Sequence, residues 1–391
     1  MTLRGAFHFT GCAFQDREGV WIRGQFGNFV EALSRRLEHL DLLLDEKTSV
    51  AAGGFEGQTD FCVSSPNVGF CSLGPYTGRL AALRRFVTIP RNTSGRGWDF
   101  ILIREPARRA PVIRFWSGRT PKVLLLGGDY TTSLQAPRSS LTYWRARFFD
   151  AQLRQAMQSA LVFVNNEMLL ERWRPFARNI LLTRTTTLPR SVVLDQPAPR
   201  FQTSQPYRLL YVGRLDPLKG IEDLLRALAM LNRDAKQYEL TILGSGDSAY
   251  EARLRQLTDT AGLSDAVRFG GYVPPSLLWD YYLKADVFVL PTLAENISRS
   301  VWEAMSQGCP VVTTPVGGQG RAFRDREDLL FFEPGDAQDL CEKIELLRTD
   351  EPLRRAICAR GLELARGNTV EARSAEMVEA IENWLESRRS Q

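Results

Sequence analysis

Two carboxylates, Glu295 and Glu303, stand with seven residues between them in the stretch LAENISRSVWEAMSQG (293–308). The apolar run VFVLPT (287–292) before it reads as a strand, so LAEN is the loop at that strand's carboxyl end. Ser298, with Ser300 as an alternative, supplies an N-cap, and the apolar residues after it continue as a helix. On this reading Glu295 lies on the loop and Glu303 near the start of the helix, about 10 Å away. The two can face one extended ligand without facing each other. Carboxylates in such places accept hydrogen bonds from vicinal hydroxyls, as acidic residues do with ribose.

A second stretch, VGRLDPLKG (212–220), carries the complementary charge. A strand ends at Gly213, where the chain can turn and a ligand can come close. Arg214 and Lys219 follow on a loop that runs into a helix, and two cations at a helix N-terminus make an anion site. Arg forks around phosphate oxygens and Lys supplies a compact point charge, a pairing suited to a diphosphate. Two solvated loop cations are the plainer alternative. Gly244 in LGSGDS (243–248) marks another strand-to-helix turn, a weak signal on its own. The glycines of PVGGQGRAF (315–323) would let backbone N–H groups reach a phosphate. Carboxylates beside a diphosphate site suit a ligand with hydroxyls on both sides of a diphosphate, which describes a nucleotide sugar.

These loops need a scaffold, and the second half of the chain spells one out. Runs at 207–213, 239–244, 267–273, 287–292, 310–315 and 329–334 read as buried strands. Helical patterns lie at 220–232, at about 250–261 and after Pro274-Pro275, and two helices follow the last strand. The first half repeats the rhythm less cleanly, with strands at 4–11, 40–46, 99–105, 122–129, 161–166 and 180–185, and helices starting near Gly27, Gly78 and Ser139. The fold class is therefore α/β, with two doubly wound parallel-sheet domains. DQPAPRFQTSQP (195–206) reads as the linker. The expected domains are residues 1–197 and 205–369, with the ligand in the cleft between them.

Composition narrows the class further. The chain has 391 residues, 44% hydrophobic and 24% charged, too long for one ordinary core and right for two. No apolar run approaches the roughly 18 residues that span a membrane, and MTLRGAFHFTG lacks the apolar stretch of a signal peptide. The cytoplasm is the expected compartment. The six cysteines form no CxxC pair and there are two histidines, so no zinc site is legible. Residues 1–200 hold 27 Lys and Arg against 16 Asp and Glu, a net of +11, while the remainder holds 23 against 29, a net of −6. A basic first half suits an anionic partner. Arg84, Arg85, Arg91, Arg96, Arg108 and Arg109, with Leu80, Leu83, Phe86 and Trp98, mark one region for contact with an anionic membrane or a lipid-diphosphate acceptor. A solvated basic surface is the alternative. No nucleic-acid recognition module is visible.

In order and spacing VGRLDPLKG, TILGSGD, FGGYV, ADVFVLPTLAENISRSVWEAMSQGCPVVTTPVGG and FFEPGD resemble the C-terminal domain of the family 4 glycosyltransferases of the GT-B fold, over about residues 205–345. The resemblance implies that the second domain binds a nucleotide-sugar donor and the first binds the acceptor, a saccharide or a lipid-linked molecule. It implies transfer with retention of configuration, no metal and no cofactor beyond the donor. Carried over by motif, Arg214 and Lys219 become diphosphate ligands, Glu303 the ribose ligand and Glu295 a ligand of the donor sugar, with Gly213, Gly244, Asn296, Ile297 and Ser298 as further donor-binding candidates. Arg214, Lys219 and Glu295 become the catalytic set. The family's final helix crosses back to the first domain, which points to residues 370–391. Surface polysaccharide or glycoconjugate assembly, peripheral on the inner face of the cytoplasmic membrane, would be the setting.

Two departures matter. Family members often have Glu-Gly-Phe-Gly where this chain has Glu295-Asn296-Ile297-Ser298. The histidine they often carry before an Asp in the first domain is Gly128 here, followed by Asp129. Asp129, Gly27 and His8 remain as candidate sugar or acceptor contacts, and a donor sugar lacking the hydroxyl that the histidine would meet becomes an expectation. A nucleotide-sugar epimerase and a catalytically silent nucleotide-sugar-binding protein are the alternatives on the same fold.

Overall fold

The computed structural model describes residues 2–47, 59–75, 88–93, 95–107, 109–127, 140–184, 186–196, 206–234, 237–295 and 297–390. The chain divides into two compact units, Met1–Thr187 with Val370–Gln391, and Leu188–Thr369.

Among the described residues the first unit is built on ten strands: β1 (Arg4–His8), β2 (Cys12–Gln15), β3 (Val20–Ile22), β4 (His39–Glu46), β5 (Phe61–Val63), β6 (Val68–Pro75), β7 (Phe100–Glu105), β8 (Lys122–Leu126), β9 (Leu161–Val164) and β10 (Asn179–Leu182). The sheet runs β10–β9–β8–β7–β1–β4–β2–β3–β5, with β6 also paired to β4. The central strands are parallel and in register, Phe7 lying between Leu42 and Leu102. All four residues of β9 are buried, as in a sheet covered on both faces. One face packs on the helices Gly24–Ser34 and Val370–Arg389, which touch each other. The other packs on the helices Ala110–Trp116 and Leu141–Met157.

The sequence pattern misses β6, which pairs parallel with β4, and the short strands β2, β3 and β5. β3 pairs antiparallel with both β2 and β5, so the edge is a ribbon and the sheet is not purely parallel. Asp16 makes the hairpin turn. Its carboxylate accepts the N–H groups of Glu18 at 2.9 Å and Gly19 at 3.2 Å and the indole N–H of Trp21 at 2.9 Å. Strands of three or four residues are too short for a period of two to be read from the sequence.

Among the described residues the second unit has six strands: β11 (Tyr207–Val212), β12 (Tyr238–Leu243), β13 (Val267–Gly271), β14 (Val287–Leu290), β15 (Val311–Thr313) and β16 (Leu330–Phe331). They form one parallel sheet in the order β13–β12–β11–β14–β15–β16. The order reverses between β11 and β14, where the chain has crossed from one side of β11 to the other. Loops leaving the carboxyl ends of those two neighbours flank the crevice in which such sheets hold ligands. Three helices, not two, follow β16: Ala337–Thr349, Glu351–Gly367 and Val370–Arg389. The extra break comes at Asp350, whose side chain caps the second of them through Leu353 N–H at 2.9 Å, with Pro352 in its first turn. Among the described residues no helix is long and apolar enough to cross a membrane.

Candidate active site

The loop after β11 is shaped by its backbone. Asp216 caps the short turn Pro217–Lys219 through Leu218 N–H at 2.9 Å. Gly220 then takes φ 64°, and a Cβ there would overlap the carbonyl oxygen of Pro291, at the end of β14. Only glycine tolerates both the left-handed conformation and that approach. Helix Ile221–Leu231 starts at this point with Glu222 and Asp223 in its first turn, acids that suit its dipole. Tyr211 is buried and donates its hydroxyl to the carbonyl of Arg214 at 2.7 Å, which fixes the loop's first residue to the core.

The loop after β14 is stitched to the first. Leu293 N–H donates to Leu218 O at 2.8 Å, and the Thr292 hydroxyl lies 3.2 Å from the same carbonyl and 3.0 Å from that of Ala294. Thr314, just past β15, donates to Thr292 O at 2.5 Å. Three adjacent strand ends are thereby tied together. Across this seam Lys219 Nζ donates to Glu295 Oε2, so the structure joins two residues 76 positions apart in an ion pair. The Lys219 side chain is 12% exposed and that of Glu295 21%. Arg214, by contrast, is 77% exposed, its nearest carboxylate being Asp216 at 3.9 Å.

Glu303 lies one turn into the helix Arg299–Ser306, partly buried, and accepts the hydroxyl of Tyr282 at 2.8 Å. Burial pushes its carboxyl above the ordinary glutamate value, against the opposing pull of the Tyr282 hydrogen bond and the charge of Arg299. The Tyr282 phenol is pushed well up, chiefly by burial and then by that carboxylate. Ser298 stands at the N-cap position, but its hydroxyl lies 2.8 Å from that of Ser300 and caps no helix N–H. Ile297 packs partly buried on the second unit's core. Asn296 lies outside the described residues.

The remaining candidates fall elsewhere. Gly244 has φ 134° and sits against the carbonyl of Gly213, so these two glycines let the turns after β11 and β12 touch. Gly27 lies inside the helix Gly24–Ser34, where a side chain would run into the ring of Phe61. His8 ends β1, buried, with Nδ1 2.7 Å from Leu43 O and Nε2 without a partner. Burial, aided by the charge of Arg109 and opposed by the Leu43 contact, lowers its pKa to about 4, so the ring is neutral. Arg109 itself pairs with Asp45 at 3.1 Å. Gly128 and Asp129 lie outside the described residues, as do Leu80, Leu83, Arg84, Arg85, Phe86 and Arg108. Trp98 is buried and donates to Asp41 at 2.7 Å, so it is not part of a membrane-facing surface. Tyr282 and Thr292 were not singled out in the sequence. Tyr282 lies 21 residues from the carboxylate it serves, in a helix whose pattern alone does not distinguish it.

Solved structures share this architecture. HepE of Anabaena, solved in complex with UDP, superposes with a TM-score of 0.68 at 18% identity over 97% of this chain and 100% of that one. Sucrose-phosphate synthase from Thermosynechococcus elongatus gives 0.70 at 19% identity over 98% and 100%. The fold is GT-B, shared with these glycosyltransferases. Residues 195–363 match the family described as Glycosyl transferases group 1. Among the relatives in sequence, the D-inositol 3-phosphate glycosyltransferase of Thermomonospora curvata is 37% identical over 162 residues, 40% of this chain and 37% of that protein. The enzyme of the same name from Arthrobacter sp. is 32% identical over 204 residues, 50% and 48%. The chain thus spans less than half the length of either relative.

Proposed function

We propose that the protein moves a sugar from a nucleotide-diphosphate sugar to a saccharide or lipid-linked acceptor, with retention of configuration and without a metal. The observation that carries this reading is the Lys219–Glu295 pair across the switch point of the second sheet. It puts a cation for the diphosphate and a carboxylate for sugar hydroxyls in contact before any donor arrives. A diphosphate competes with Glu295 for Lys219, so donor binding frees the carboxylate to accept hydroxyls of the sugar. Glu303, positioned by Tyr282, takes the ribose. As the glycosyl–oxygen bond to phosphate breaks and the bond to the acceptor oxygen forms, charge grows on the departing diphosphate. Arg214, Lys219 and the helix start at Gly220 meet that charge, and the phosphate takes the acceptor's proton. The similar enzymes named for transfer to inositol phosphate and the neighbour solved with UDP support a nucleotide-sugar donor. The first unit would hold the acceptor. If that acceptor is lipid-linked, the protein works at an anionic membrane surface in glycoconjugate assembly.

The test is an assay of nucleoside diphosphate release and product configuration with a panel of UDP-, GDP- and ADP-sugars. The expected result is transfer with retention, and a drop of about 100-fold in turnover for Lys219→Ala at unchanged thermal stability. A free epimer, or donor binding with no product from any acceptor class, would overturn the reading.

A further inference from the structure

We propose that the helices Ala110–Trp116 and Leu141–Met157 of the first unit form a docking surface for an anionic lipid membrane. The inference deepens the membrane part of the reading above by naming the surface, and it rests on side chains remote in sequence from every donor-site residue.

The helix Leu141–Met157 is apolar on two sides. Ala146, Leu153 and Met157 face the core. A surface helix ordinarily turns charge and polarity outward on its other side. This one turns out Leu141 at 77% exposure, Trp144 at 59% and Phe148 at 60%. Their spacing of three and four residues lines them along one stripe. Arg145 flanks the stripe on one side, Arg147 and Arg154 on the other, all exposed. The helix has one acid, Asp150, and it is buried. The Arg147 guanidinium lies 5.6 Å from the Trp144 ring, along the stripe and not away from it. The neighbouring helix Ala110–Trp116 adds Phe115, 75% exposed, and Trp116, their rings edge to face at 5.3 Å. The exposed Arg119 follows directly.

Large aromatics interleaved with arginines suit the boundary between acyl chains and headgroups. The rings sink below the phosphates while the guanidinium groups reach back up to them. Charge selects among occupants. A second copy of this chain on the same face would oppose arginines to arginines with no exposed carboxylate on either helix, which is repulsive. A layer of anionic phosphates is complementary.

The experiment is co-sedimentation of the full chain with vesicles of phosphatidylcholine alone and with phosphatidylglycerol added. Binding is expected with the anionic vesicles and should weaken as salt rises from 0.1 to 1 M, where the Debye length falls from about 10 to about 3 Å. Trp144→Ser with Phe148→Ser should cut the bound fraction by about tenfold, since both rings leave the apolar phase. Arg145→Glu with Arg147→Glu should do the same at low salt and tests the proposal should the first variant not fold. A thermal shift with UDP, read in parallel, is expected to be unchanged in both variants, which separates this surface from the donor site. Failure of the native chain to bind anionic vesicles overturns the proposal, as does undiminished binding by both variants. Self-association of the native chain that either variant abolishes would also overturn it, assigning the face to a second copy.

Discussion

The carboxyl ends of the two sheets are finished in opposite ways. In the second unit the loops after β11 and β14 leave charge in contact with solvent. Arg214 is mostly exposed, and Lys219 is held by a carboxylate that is itself partly exposed. In the first unit, among the described residues, the ends of β1, β4 and β7 are closed. His8 is buried at the end of β1, and Asp45, near the end of β4, is paired with Arg109. Glu105, ending β7, is buried against Arg114. A permanently buried ion must be matched by a permanent partner, because removing one member leaves an uncompensated charge. A site that takes and releases a dianion needs cations whose partners can be exchanged. By that measure the strand ends of the second unit suit the diphosphate site proposed for them, and the groups described in the first unit hold their own strands in place.

Three changes break or sharpen this contrast. The largest effect is expected from Gly220→Val, which forces a β-branched side chain into a left-handed turn and against the Pro291 carbonyl. The loops after β11 and β14 cannot then meet. A stability loss of about 3 kcal/mol or more and no thermal response to nucleoside diphosphates are expected. A variant that still responds to UDP would show that the seam between these loops is not part of the nucleotide site.

The second concerns the sealed end of the first unit. The folded-state pKa of His8, about 4, lies below its ordinary 6.5. Between those values the unfolded chain binds a proton that the folded chain refuses. Stability therefore falls as pH drops from 6.5 toward 4, by on the order of 3 kcal/mol, and is untouched by His8 above that window. Urea melts at pH 7 and pH 4.5 should give a steeper loss for the native chain than for His8→Gln. Equal losses would mean that His8 is reachable by water and that the first unit is less sealed than described.

The third and smallest effect separates the two carboxylates. Glu303→Gln should weaken both a bare nucleoside diphosphate and its sugar, by about 1–2 kcal/mol. Glu295→Gln should weaken the sugar nucleotide alone, and bare diphosphate should bind as well or slightly better because Lys219 loses a competitor. Calorimetry with both ligands on both variants reads this directly. The reverse pattern would exchange the roles assigned to the two residues.

Much of the second unit was legible because a strand end that turns through glycine into a helix start constrains residue types locally. VGRLDPLKG shows its strand, turn, cations and helix start within nine residues, and VFVLPT followed by LAEN shows the other lip of the crevice. The inner strands β14 and β15, and β11 from Leu209 on, are buried on both faces and so read as continuous apolar runs. The first unit was less legible. Its antiparallel ribbon rests on strands too short to show a period, and Asp16 acts there through bonds that a composition count cannot weigh. The basic region around Arg91 and Arg96 drew attention as a membrane contact, yet Trp98 beside it is core. The exposed aromatics lie instead on Leu141–Met157, where sequence alone does not tell which of two apolar faces is covered.

The sequence by itself determined the local chemistry of the proposed donor site. A left-handed glycine, a helix start and two nearby cations depend on backbone preferences and charges set within one turn of chain. Tertiary structure decided the pairings: that Lys219 meets Glu295, that Tyr282 holds Glu303, and that Gly220 must accommodate Pro291. Those contacts exist because the crossover from β13 to β14 brings β14 beside β11, and hydrogen-bonded neighbours in a sheet need share nothing in sequence but a compatible face.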